Sequence, residues 1–255
     1  MTLTGALALV ALGLAAGLVS TVASVASFVS YPALLAFGLP PLSANMTNTV
    51  SLLFTGAGAA AGSRPELAGQ GARIRRLGLI AAVGGGAGAA LLLITPASTF
   101  ERIAPVLIAA ASVVLLAGRP RAPRSVQPAG DQPAGRRSRV LLVPYFCVAM
   151  YVGYFGAAGG VLLLAVLLGM LAEPLTRVNA VKNVVSGFTN LVAAVTFAVF
   201  GSVDWAVVPP LAAGFLAGGW LGPAVARRLP GQVLRVGVGV CGLAVASKLA
   251  LTAYR

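Results

Sequence analysis

The first 63 residues of this chain contain no Asp, Glu, Lys or Arg. A run of about 20 apolar residues already suffices to cross a bilayer, and a soluble domain has no use for an uncharged stretch of that length. Further uncharged runs cover 77–100, 103–118, 140–172, 183–203 and 205–226. Over all 255 residues 58% are apolar, only 9% are charged and the mean hydropathy is +0.95, which leaves no material for a soluble surface. The runs are continuously apolar rather than alternating, so an outer-membrane barrel is excluded. The sequence predicts an all-α polytopic membrane protein in contact with the lipid bilayer.

The net charge of +13 would point to nucleic acid in a soluble protein, so its placement matters. Thirteen of the 18 bases fall in three connecting segments: Arg64, Arg73, Arg75 and Arg76; Arg119, Arg121, Arg124, Arg136, Arg137 and Arg139; and Arg227, Arg228 and Arg235. That is the positive-inside pattern; it predicts cytoplasmic loops and, with no cation before Arg64, an N-terminus outside. No aromatic-rich polar module accompanies the arginines, so no nucleic-acid partner is expected. Ala, Gly and Arg outweigh the two lysines, a composition that suggests a bacterial plasma (inner) membrane.

With no His, five acids, and Cys147 and Cys241 isolated in apolar stretches, neither a metal site nor a histidine-dependent hydrolase can be assembled. No cofactor and no enzymatic activity are expected. MTLTGALALV lacks a basic n-region, which argues against a cleaved signal.

Segment 119–139 is rich in Pro, Gly and Arg and reads as a cytoplasmic linker between a first transmembrane repeat, 1–118, and a second, 140–255. Both carry the same order of features: a long uncharged run, a Pro-containing polar break, a helix marked by Asn, Ser and Thr, then two plain helices. The best anchors are Asn48-Thr49-Val50-Ser51 against Asn183-Val184-Val185-Ser186, and Pro41-Leu42-Ser43 against Pro174-Leu175-Thr176. Between the basic loops, segment 140–200 must cross an odd number of times, because the turn at 201–205 has to lie outside. The arrangement that fits length and parity is a crossing helix of about 22 residues, a re-entrant half-helix, a Pro-rich break and a second helix. The breaks are then expected at 38–44 and 171–178, and the halves become inverted-topology repeats.

Broken backbone at membrane depth is tolerated only where it lines a cavity or is buried in protein, so these breaks are the expected functional site. The helix starts that follow carry Asn45, Asn48, Thr49 and Ser51 in the first half, and Arg177, Asn179, Lys182, Asn183, Ser186 and Asn190 in the second. Helix N-termini, hydroxyls and amides favour an anion, and Arg177 and Lys182 supply charge. The plainer readings are that Asn and Ser cap helices, and that Arg177 only neutralises Glu173 four residues earlier. Lys182 has no acid at helical spacing. Tyr151, Tyr154 and Phe155, ahead of Gly156-Ala157-Ala158-Gly159-Gly160, read either as path-lining or as helix packing. The remaining acids, Glu66, Glu101, Asp131 and Asp204, belong to loops, which makes proton coupling poorly supplied.

The Gly-rich first helix of each half, clearest at Gly153 to Gly160, the Ala44-to-Ser51 stretch and its partner at 178–190 resemble the TauE/SafE family of membrane permeases. The resemblance spans the chain outside the linker and implies transport of sulfite, an organosulfonate or a related sulfur oxyanion as the small anionic partner. The chain departs from the family at Ser20, Thr21, Ser24 and Ser27, where a glycine cluster is usual. The residues themselves imply a small anion without naming it. The competing readings are a carrier or channel for another anion, an intramembrane enzyme acting on a lipid phosphate, which lacks the acid/base set it would need, and a non-transporting assembly factor. Gly84 to Gly88 and Gly214, Gly218, Gly219 and Gly222 offer small-residue faces, for packing within one protomer or in a homodimer.

Overall fold

In the computed structural model the described residues are 2–117 and 140–226, with 240, 243–244, 246–247 and 250–251 beyond them. The linker 119–139, the basic segment 227–235, Cys241 and Lys248 lie outside the described residues. The described residues form ten helices and no strand. They are α1 (Leu3–Ala23), α2 (Ser27–Ala36), α3 (Pro41–Gly62), the one-turn α4 (Arg64–Leu67), α5 (Gly71–Ile94), α6 (Ala97–Ala117), α7 (Leu142–Tyr154), α8 (Gly159–Met170), α9 (Leu175–Phe200) and α10 (Val208–Ala226). Four of them, α1, α5, α9 and α10, are long and apolar enough to cross a membrane. α3 has the length, at 22 residues, but its polar side chains lower its hydropathy.

Glycines set the pairing. A Cβ on Gly13 would lie 2.3 Å from the Leu211 carbonyl, one on Gly17 3.0 Å from Gly218 Cα, and one on Gly222 would strike Thr21. α1 and α10 therefore run side by side in the same direction at backbone contact, as small-residue faces allow. α5 and α7 repeat the arrangement, with Gly84 against Ala149, Gly85 against Gly153 and Gly88 against Met150. α3 and α9 cross where Gly56 meets Gly187. They are antiparallel, because the end of α9 returns to the start of α3: Gly201 packs on Met46, and the Asp204 amide donates to Thr47 Oγ1 at 2.9 Å. α9 starts beside Glu66 to Arg73, which defines an arginine end of the bundle and an opposite end near Asp204.

The chain breaks where the sequence placed the breaks, at 37–40 and 171–174, but these breaks lie at helix ends and two further interruptions lie deeper. Pro40 and Pro174 occupy N-cap positions with matching extended backbone, ψ 146° and 147°, and their missing N–H costs the following helix nothing. The two proline loops precede α3 at the Asp204 end and α9 at the arginine end, so they lie at the ends of long helices. The deep interruptions are 24–26 and 155–158. Ser24 (φ 62°) and Gly156 (φ 74°) turn left-handed and stop α1 and α7 as a C-cap does, and Ala158 (φ 51°) is the left-handed N-cap of α8.

The first half has the expected long helix followed by a short one, α1 then α2. In the second half the full crossing helix is replaced by two short ones of 13 and 12 residues. α7 and α8 form a hairpin that returns to its starting end, where Gly169 approaches Leu141. α9, at 26 residues and about 39 Å, then supplies the odd crossing. The two helical hairpins, α1–α2 and α7–α8, enter from opposite ends and meet: a Cβ on Gly160 would lie 2.7 Å from the Ser24 carbonyl oxygen.

Candidate functional site

Between the meeting hairpins and the crossing of α3 with α9 lies a cavity of about 70 Å3. At roughly 15 Å3 per water it would hold a few waters or one small anion. Its polar wall is Ser20 and Ser24 of α1 and its cap, Ser27 of α2, Thr49 and Thr55 of α3, and Lys182, Asn183, Ser186 and Asn190 of α9. Gly56, Gly156, Gly160 and Gly187 bring backbone to its surface, and Ala26, Leu52, Ala59, Val152 and Phe155 complete it. The wall is thus built by α1, α2, α3, α7, α8 and α9, which the glycine contacts bring together.

Lys182 is 2% exposed, the one charged residue in the buried set of the described residues. Its Nζ donates to Ser24 Oγ at 2.5 Å, and no carboxylate lies within ion-pair distance of it among the described residues. A buried ammonium is costly unless paired, so Lys182 sets a cationic group with no counter-ion of its own against the cavity. Thr55 Oγ1, buried in the same wall, has no hydrogen-bond partner. The set offers one cation plus hydroxyl and amide donors, which suits an oxyanion.

The ten residues singled out from the sequence divide. Lys182, Asn183, Ser186, Asn190 and Thr49 line the cavity. Asn45 and Asn179 flank it: Asn45 Nδ2 donates to the Tyr154 carbonyl at 3.0 Å and Asn179 Nδ2 to the Thr21 carbonyl at 3.1 Å. Asn48 is buried outside the lining, its Nδ2 at 3.4 Å from Ser27 Oγ and its Oδ1 without a partner. Ser51 donates back to the Thr47 carbonyl at 2.9 Å and does not reach the cavity. None of the asparagines and serines at the two helix starts makes a side-chain N-cap bond.

Arg177 sits at the arginine end, away from the cavity. It donates to Glu173 Oε2 at 2.9 Å and to the Ala68 carbonyl at 2.8 Å, while Arg73 reaches Glu173 Oε1 at 3.2 Å and also bonds Gln70. The hydrogen bond from Arg73, reinforced by the Arg177 guanidinium, holds the Glu173 carboxyl below its ordinary range. The cluster ties the loop before α9 to the α4 segment.

Sequence reading missed Ser20, Ser24, Ser27 and Thr55 as wall residues. The signal was present: hydroxyls crowd at 20, 21, 24, 27 and 30 in a run free of charge, where each needs a partner or a cavity. Of the three aromatics flagged near the second interruption, Phe155 lines the cavity, Tyr151 donates its hydroxyl to the Ala157 carbonyl at 2.7 Å, and Tyr154 supplies the carbonyl held by Asn45.

No curated protein and no solved structure matches the chain. The family described as Sulfite exporter TauE/SafE matches it over residues 9–249. With its all-helical architecture and four apolar spans, the chain is a multi-pass membrane protein and belongs to the TauE/SafE sulfite exporter family.

Proposed function

We propose that the chain is a permease that moves a small sulfur oxyanion, sulfite in first place, through the cavity around Lys182. The observation that carries this reading is a buried lysine without a carboxylate, facing a polar cavity at the junction of two interrupted helices. The surroundings support an anion. In each hairpin a carbonyl in the last turn of the incoming helix, at Thr21 and at Tyr154, is covered by an asparagine amide. The starts of α2 and α8, at Ser27 and Gly160, face the cavity with their positive dipole ends. Lys182 supplies the charge, Asn183, Ser186, Asn190 and Thr49 orient the oxygens, and Ser24 and Thr55 complete the shell. The sulfur assignment rests on the family.

The two halves are inverted repeats in this reading, 1–118 and 140–255 about the linker 119–139, which explains why α1 pairs with α10 as α7 pairs with α5. The arginine end is cytoplasmic and the N-terminus external, in a bacterial plasma membrane. The role of the chain is transport and not catalysis.

The test is uptake of labelled sulfite into proteoliposomes by the wild type, Lys182→Ala and Asn183→Ala. Flux in the wild type that falls at least about tenfold in Lys182→Ala supports the reading. Folded wild-type protein that moves no sulfur oxyanion sinks the substrate, and flux indifferent to both substitutions moves the path elsewhere.

A further inference from the structure

Asn45 and Asn179 occupy the same place in their helices, five residues after Pro40 and Pro174, the N-cap prolines of α3 and α9. Each reaches into the other half. Asn179 holds the Thr21 carbonyl, in the last turn of α1, at 3.1 Å, and Asn45 holds the Tyr154 carbonyl, the final residue of α7, at 3.0 Å. Last-turn carbonyls have no intrahelical donor, so each incoming hairpin is fastened at its tip by a donor from the facing half.

The positions of these bonds relative to the cavity give them a direction. On α9 the lining begins at Lys182, one turn after Asn179, and α9 begins at the arginine end. On α3 it begins at Thr49, one turn after Asn45, and α3 begins at the opposite end. One bond therefore closes the cavity toward the arginine end and the other toward the opposite end. Asn45 is 1% exposed and its bond to Tyr154 is part-buried, so a lost donor leaves a largely sheltered carbonyl without a partner.

We infer that Asn179 and Asn45 are positioning residues that form two separate gates, Asn179–Thr21 at the arginine end and Asn45–Tyr154 at the opposite end, opened one at a time during transport. The inference rests on the cavity being the transport path, and it leaves the identity of the anion open. Neither asparagine needs to touch the substrate. Each acts through a backbone carbonyl, so the side chain must donate, and an ionised aspartate of the same shape cannot replace it.

The experiment uses the full chain with Cys147→Ala and Cys241→Ala and a reporter, Ser186→Cys, in the cavity wall. A membrane-impermeant maleimide is applied to sealed vesicles of each orientation, and tryptic cleavage within 119–139 identifies which orientation exposes the arginine-end linker. Asn179→Ala is expected to raise the labelling rate about tenfold from the arginine end and leave the other unchanged, and Asn45→Ala to do the reverse. Asn179→Asp and Asn45→Asp, which keep the side-chain volume, are expected to behave as the alanine variants, and they carry the test if an alanine variant does not fold. A rise from both sides in either variant, no rise in any, or aspartate variants that behave as wild type would overturn the two-gate assignment. Labelling is read without anion flux, so absence of sulfite transport would sink the proposed substrate and leave the gates standing.

Discussion

Lys182 Nζ donates to Ser24 Oγ at 2.5 Å, a bond from the first third of α9 to the left-handed residue that ends α1. It is the link between the interrupted helix and the charged group of the cavity. A serine hydroxyl accepts a hydrogen bond but offers no counter-charge, so a protonated Lys182 is solvated in part and has no ion to pair with. Such a group lowers the stability of the protein that carries it unless a ligand supplies the missing charge.

The consequence separates function from stability at Lys182. Lys182→Met removes the charge and keeps the length and most of the volume of the side chain. Sulfite flux is expected to fall by at least about tenfold, the factor attached to one charged hydrogen bond, while the melting temperature in detergent stays the same or rises. A structural lysine would give the reverse pattern, a lower melting temperature with flux retained per folded molecule. Flux assays and thermal melts on the same preparation decide between them.

Backbone contact between α5 and α7 is expected to tolerate no side chain. A Cβ on Gly88 would lie 1.9 Å from the Met150 carbonyl, and neither helix backbone can yield that distance locally. Gly88→Ala should cost about 1–3 kcal/mol, as overpacking does, seen as a reduced melting temperature. Gly71→Ala, at a glycine with nothing within 4 Å, should be neutral or slightly stabilising. Equal melting temperatures for the two variants would contradict the packing described for this pair.

At the arginine end, acid is expected to loosen the loop before α9. The folded-state value of Glu173 is depressed by Arg73 and Arg177, so the stabilisation is fully present above the ordinary carboxylate value of 4.5 and is lost as pH falls through the lowered value. Protonation removes both ion pairs, at 3.2 Å and 2.9 Å. Glu173→Gln should weaken the attachment at neutral pH and remove this component of the acid response. Melting temperature against pH for wild type and variant measures the difference, which should narrow below pH 4.5; parallel curves across that range would show that Glu173 contributes nothing.

How far the sequence carried the reading depends on the kind of signal. The membrane class follows from 63 residues without a charge, because no other environment tolerates them. Lys182 was legible for the same reason, as a cation in a stretch that offers it no acid. The proline breaks were legible in position, because proline is a strong sequence signal, but not in depth, because it occupies a helix N-cap at no cost; the deeper interruptions escaped because Ser24 and Ala158 adopt left-handed backbone with side chains that do not announce it. Asn45 and Asn179 were recognised as polar groups near a break, but their spacing could not show that each serves a carbonyl in the other half. That pairing depends on tertiary contact between segments more than 100 residues apart.

The cavity also sets which anions should pass. Its glycine walls meet backbone: a Cβ on Gly160 would strike the Ser24 carbonyl at 2.7 Å, and one on Gly56 would stand 3.1 Å from Gly187 Cα. Walls made of backbone widen only by moving whole helices, and about 70 Å3 holds a compact oxyanion more readily than one with an aminoethyl tail. One lysine balances a single charge, and the hydroxyls around it donate to several oxygens. Sulfite uptake should therefore be inhibited by unlabelled sulfite at roughly tenfold lower concentration than by taurine, a discrimination worth about 1.4 kcal/mol. Enlarging the pocket through Leu52→Ala should narrow that gap, since Leu52 lines the cavity and its removal leaves space for a tail. Equal inhibition by sulfite and taurine in the wild type would show that the cavity opens during transport well beyond the volume described here.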